Sequence, residues 1–297
     1  MISIARLRLR HACPKWWLMA ALLPWLVACS TVRLTYGQGP MLTYWWMDRY
    51  VDFSSDQIAP ARAALEDWFA WHRATQLTHY AALLASVAVQ AKGQLTGSQV
   101  CDVLHQVEQG MLLGFEHGVP AMAKIIGLFS PEQLRHLEQR FAKADDTLAA
   151  DYLERPKTEW QEKSRDRWLE NMESFYGELD VQQRAKLAAV FEALPFEPQV
   201  WLTEQRQRHA DIVATLRDLK TQGADTKQIE AALRAFALMS MQSPREGYRT
   251  YRTRMKRAQC ALIASVHNET SLLQRTLAAA KIKQYEADMR ALQDANR

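Results

Sequence analysis

Phe129-Ser130-Pro131-Glu132-Gln133-Leu134 carries a complete helix-start signal in six residues. Ser130 can accept from the third amide of the helix, while Gln133 reaches back to the amide of Ser130, a capping box. Pro131 sits at the first helical position, where its missing donor costs nothing. Phe129 and Leu134 flank the box as a hydrophobic staple. The same pattern recurs as Phe53-Ser54-x-x-Gln57, Leu95-Thr96-x-x-Gln99, Leu179-Asp180-x-x-Gln183 and Ala224-Asp225-x-x-Gln228. Phe53 with Ile58 and Leu95 with Val100 complete staples, whereas Arg184 interrupts the fourth. These marks predict helix starts near 55, 97, 131, 181 and 226.

Between the marks the chain is rich in Ala, Leu, Gln, Glu and Arg, all good helix formers. Apolar residues fall at helical spacing, as in Ala61, Leu65, Trp68, Phe69 and His72, one face of a helix. Runs of alternating β-branched residues are missing. Gly118-Val119-Pro120, Arg155-Pro156, Pro195 to Pro198 and Ser243-Pro244 are expected breaks. The expected fold is all-α, an irregular antiparallel multi-helix bundle of about eight or nine helices. A long last helix is expected from about Pro244 to near the end. No heptad persists, so a coiled coil is not expected.

Upstream lies an export signal. Arg6, Arg8, Arg10 and Lys15 form a basic region without acidic residues, and Trp16 to Val27 run apolar apart from Pro24. That run is too short to cross a hydrocarbon core as a helix, which takes ~20 residues. It ends at Leu26-Val27-Ala28-Cys29, which resembles the lipobox of bacterial lipoprotein precursors. The resemblance implies cleavage before Cys29 and acylation of its sulfur and new amino group, since several acyl chains anchor stably where one does not. Ser30 follows, where inner-membrane lipoproteins often carry Asp. The implied location is the outer membrane, facing the periplasm, with the membrane itself as partner through the lipid. The expected organisation is therefore a signal peptide at 1–28, a lipidated cysteine and lead-in linker at 29–43 containing Gly37, Gly39 and Pro40, and a helical domain at 44–297.

Cleavage changes the charge balance. The chain has 37 basic and 33 acidic residues; the signal holds four of the basic and none of the acidic, leaving the rest formally neutral. A basic-protein argument for nucleic acid fails on that count. Cys13 falls in the signal, so Cys101 and Cys260 are the remaining thiols. In an oxidising compartment they either pair or stay as two buried thiols, and sequence leaves both open.

Two family resemblances rest on these residues. Leu95-Thr96-Gly97-Ser98-Gln99, and the repeats like it, are similar to the LTxxQ motif of the Spy and CpxP periplasmic stress proteins, which implies helix starts in a client-holding cradle. Tyr44-Trp45-Trp46-x-x-x-Tyr50-Val51-Asp52-Phe53, with Trp71-His72-Arg73 and Leu77-x-x-Tyr80, resembles an uncharacterised family of Gram-negative lipoproteins, a domain of unknown function. That resemblance implies a lipid anchor and a helical fold, and no activity.

Two stretches are candidate sites. Tyr44, Trp45, Trp46 and Tyr50, with Phe53, form the densest aromatic cluster, readable as an apolar binding surface or as core. Arg245, Arg249, Arg252 and Lys256 fall at i, i+4, i+7 and i+11, a stripe fit for an anionic envelope ligand or, equally, for salt bridges to neighbouring helices. His72 beside Trp68 and Trp71 reads as a hydrogen-bonded buried residue. Gly110, Gly114 and Gly118 recur every fourth residue and read as a close-packing stripe. The histidines lack zinc spacing, and no glycine loop for a phosphate or nucleophile elbow is present. Metals, cofactors and catalytic residues are therefore not expected. The expected function is a binding or chaperone-like envelope protein acting on unfolded or envelope proteins; the alternative is an assembly factor for one envelope partner or an anionic cell-envelope ligand.

Overall fold

The computed structural model describes residues 31–294; the expected signal peptide, with Cys13, and Cys29 lie outside them. Among the described residues there are eleven α-helices and no strand. They are α1 Thr31–Gly37, α2 Gly39–Val51, α3 Ser55–Gln90, α4 Gly97–Gly127, α5 Pro131–Ala149, α6 Lys157–Tyr176, α7 Val181–Glu192, α8 Pro198–Thr221, α9 Thr226–Met241, α10 Glu246–Glu269 and α11 Leu272–Asp294. A π-helical turn, Ala150–Glu154, joins α5 to the break at Arg155-Pro156.

All five expected starts coincide with real ones. At Thr96, Ser130, Asp180 and Asp225 the cap side chain accepts from the amide three residues on, and the glutamine accepts from the cap amide. At Ser54 the Gln57 carbonyl oxygen accepts from the Ser54 amide at 3.0 Å. The staples form as well: Phe53, Ile58, Phe129 and Leu134 share one cluster, and Leu95 and Val100 share another.

The helix count differs from eight or nine for identifiable reasons. The stretch 31–43, expected as a linker, is helical: Pro40 stands in the first turn of α2, where it needs no donor. The long last helix is two, because Ser271 caps α11 and Gln274 returns to its amide at 2.8 Å. This sixth box escapes the pattern because polar Thr270 replaces the apolar staple residue. In the other direction, Pro120 does not break α4. A proline inside a helix costs about 3 kcal/mol, but Pro120 faces outward while its neighbours Val119 and Ala123 are fully buried against Ile229 and Leu233 of α9.

Two pairs of boxes are clasped together by the same arrangement. Gln57 donates to Gln133 Oε1 at 3.2 Å and Gln133 donates to Gln57 Oε1 at 2.6 Å. Each also donates to the carbonyl two residues before the other's cap, Leu128 and Asp52. Gln183 and Gln274 repeat this, exchanging bonds of 2.9 and 3.1 Å and donating to the carbonyls of Glu269 and Glu178. A cap residue thereby also joins two helix starts that are 76 and 91 residues apart in sequence.

Helix α4 is the hub, packed against α3, α9 and α10. Cys101 near its start is bonded to the buried Cys260 of α10 across a Cα–Cα distance of 5.4 Å. Tyr44, Phe53, Ala61, Ile125, Phe129, Leu137 and Leu216 form the main core between α2, α3, α4, α5 and α8. A second core unites α6, α7 and α10 through Leu169, Leu187, Leu262 and Val266. Helix α11 lies along α3, running antiparallel: just before α11 starts, Asn268 of α10 bonds both backbone groups of Leu95 past the end of α3, and near its own end Gln293 meets Thr78 further back in α3.

Candidate apolar ligand site

Where α2, α3 and the middle of α4 diverge, they line a cavity of about 480 Å³ that opens to the surface. The α3 wall is the helical face legible in the sequence, Ala61, Leu65, Trp68, Phe69 and His72, with Ala64 and Tyr80. The α4 wall is Gly110, Gly114 and Gly118 with Met111, Phe115, Ala121, Met122 and Ile125. Helix α2 closes one side with Thr43 and Met47.

The glycine stripe is what allows these walls their positions. A Cβ at Gly110 would collide with the Tyr80 ring, and one at Gly114 would stand 3.1 Å from Trp68. With the stripe bare, the Trp68 indole reaches across and donates to the Gly114 carbonyl at 2.7 Å. Gly39 at the start of α2 serves the same purpose, because any side chain there would strike the Phe69 ring.

The lining contains no acidic or basic side chain other than His72. His72 stacks on Trp68 with ring centroids 4.8 Å apart, and its Nδ1 meets the Tyr36 hydroxyl at 2.7 Å. Burial lowers the His72 pKa from its ordinary value. Burial also pushes the Tyr36 phenol up to about 12, against the opposing pull of Arg73. Both groups are therefore uncharged at neutral pH. An ionised ligand would meet no countercharge here, whereas an apolar one would exchange water for aromatic rings and three adaptable methionines, Met47, Met111 and Met122. The volume falls within the ~300–1,000 Å³ usual for small-ligand pockets.

The residues singled out from sequence fare differently. Cys29 is outside the described residues. The aromatic cluster is not one surface: Tyr44 is core, stacked on Phe53 at 5.7 Å with Arg62 over its ring. Tyr50 is half-buried against Phe141, and Trp45 and Trp46 are exposed. The basic stripe is engaged by its neighbours. Arg245 pairs with buried Glu204 and with Asp211, and Lys256 pairs with Glu108 at 2.5 Å. Arg249 donates to the carbonyls of Ser243 and Pro244, and Arg252 to those of Ser240 and Met241 at the end of α9. Among the described residues no group of three or more His, Cys, Asp or Glu side chains is placed to hold a metal ion. None of the described helices is long and apolar enough to cross a membrane.

A family model described as a family of unknown function, DUF6279, matches residues 49–242. The chain belongs to the DUF6279 family. That match takes in the α3 and α4 walls of the cavity and ends before α10 and the Cys260 half of the disulfide. No curated protein and no solved structure matches the chain.

Proposed function

We propose that this DUF6279 protein is a lipid-anchored envelope protein that binds one apolar chain, the acyl tail of a lipid, in the cavity between α2, α3 and α4. The observation that carries the reading is the lining: seventeen residues, none of them acidic or basic apart from a histidine held neutral by burial. The limited volume, about 480 Å³, favours a single tail over an unfolded polypeptide client, which would need a long apolar surface. Anchoring rests on the lipobox-like Leu26-Val27-Ala28-Cys29. The bond between Cys101 and Cys260 supports an oxidising compartment such as the periplasm.

The test uses the protein in its own membrane. A phospholipid with a photoactivatable group on its acyl chain is incorporated into cells, crosslinked, and the adducts are mapped by peptide. The expected adducts fall on residues 61–72 and 110–125 and disappear in Ala64→Trp, which fills the cavity from the α3 side. Adducts absent from these peptides, or undiminished in a folded Ala64→Trp protein, would reject the reading.

A further inference from the structure

Helix α2 is apolar on two opposite faces, and the protein covers only one of them. Tyr44, Met47 and Val51 face the core, and Thr43 and Met47 reach the cavity. Met41, Leu42, Trp45 and Trp46, at i, i+1, i+4 and i+5, form an uncovered face, with Leu34 of α1 beside them in sequence. Trp45 is 54% and Trp46 61% exposed, and Leu34 is 64% exposed. Not one of the residues 34–47 is charged; the first charged pair, Asp48 and Arg49, comes only at the end of the helix. A helix that is apolar all round needs an apolar environment on its free side.

We infer that this outer face of α1 and α2 lies in the interfacial layer of the lipid bilayer, with Trp45 and Trp46 inserted at headgroup level. The inference rests on the anchoring proposed above, because it takes the membrane to be held at Cys29. Two peptide units separate Cys29 from the first residue of α1, which limits their Cα atoms to ~7 Å. The exposed apolar residues therefore lie on the first two helices after the acylated residue. At 13 residues, α2 is too short to span a bilayer, which takes ~20, so it lies on the surface instead. Tryptophan is the side chain suited to that depth, apolar in body with one N–H to satisfy at the headgroups. The exposed Arg49 at the end of α2 is placed to meet phosphate groups. One consequence joins this surface to the cavity. The same helix that rests on the bilayer lines the cavity with Thr43 and Met47, so a lipid tail has only to pass beneath α2 to enter.

The test is collisional quenching in vesicles of phosphatidylethanolamine and phosphatidylglycerol at 3:1, with and without bromine on the acyl chains. The full lipidated protein is reconstituted and flotation is measured on the same samples. Two of the seven tryptophans after Cys29 are Trp45 and Trp46. Wild-type emission is expected to fall in brominated vesicles, and the fall is expected to shrink in Trp45→Phe/Trp46→Phe to the part that a tail bound beside Trp68 in the cavity produces. Protein that floats but is not quenched, or whose quenching is undiminished in the double variant, overturns the inference while leaving the anchor intact. Wild-type protein that does not float, or Cys29→Ala protein that floats equally well, overturns the anchor and this inference with it. Replacing both tryptophans on a solvent-facing surface leaves the fold in place, and circular dichroism confirms that on each sample.

Discussion

Replacing Gln57 by Ala should cost far more than an ordinary capping-box loss, because this side chain is only 2% exposed and makes four hydrogen bonds. Its carbonyl oxygen accepts from Ser54 and Gln133, and its amide donates to Leu128 and Gln133. At about 1 kcal/mol net per bond, and allowing water to serve the exposed Ser54 amide, the loss is about 3–4 kcal/mol. Gln228 provides the internal control. It closes the Asp225 box alone, at the surface, so Gln228→Ala should cost about 1 kcal/mol. Urea unfolding followed by far-ultraviolet circular dichroism measures both, with equal m-values required for the comparison. The clasp also predicts coupling: Gln133→Ala should cost about 1–3 kcal/mol less in a Gln57→Ala background than in the wild type. Equal costs for Gln57→Ala and Gln228→Ala, or strict additivity with Gln133→Ala, would refute the reasoning.

Other expectations follow from the same contacts. Reducing the Cys101–Cys260 bond, which closes a span of 159 residues, should lower stability by about 2–5 kcal/mol, read as a shift of the urea midpoint. His267 is 1% exposed, lies between the Gly93 carbonyl and the Tyr176 hydroxyl, and has its pKa lowered mainly by burial, with Arg275 adding to it; His72 is lowered by burial as well. For both, the unfolded chain binds the proton more readily, so stability should hold above the ordinary histidine value near 6.5 and fall as pH drops below it; His267→Gln should flatten that fall, and a profile unchanged by the substitution would count against it. Arg245→Ala leaves buried Glu204 with Arg208 alone, and should cost about 1–3 kcal/mol in the same unfolding assay while leaving attachment to anionic vesicles unchanged.

The fold was legible where its causes are local. A capping box is written in four consecutive residues, so five helix starts could be placed within a residue. It failed at Ser271, where the staple residue is polar, and at Pro120, where a local breaker is overridden by the burial of Val119 and Ala123 against a helix about a hundred residues away. The glutamine clasps were invisible for the same reason, since their partners lie far apart in the chain. Both long walls of the cavity could be seen, one as the apolar face from Ala61 to His72 and the other as the glycine stripe from Gly110 to Gly118. What sequence could not show is that they face each other with space between them. Of the basic stripe, whose two readings the sequence left open, Arg245 and Lys256 meet Glu204, Asp211 and Glu108 from other helices, partners too distant in sequence to be foreseen.

The cavity claim is tested most directly by weighing what the protein carries. Native mass spectrometry of the protein, released gently from its membrane, should show one noncovalent lipid per chain in the wild type and none in Ala64→Trp. Lipid absent from the wild type, or retained equally by a folded Ala64→Trp protein, would contradict the account.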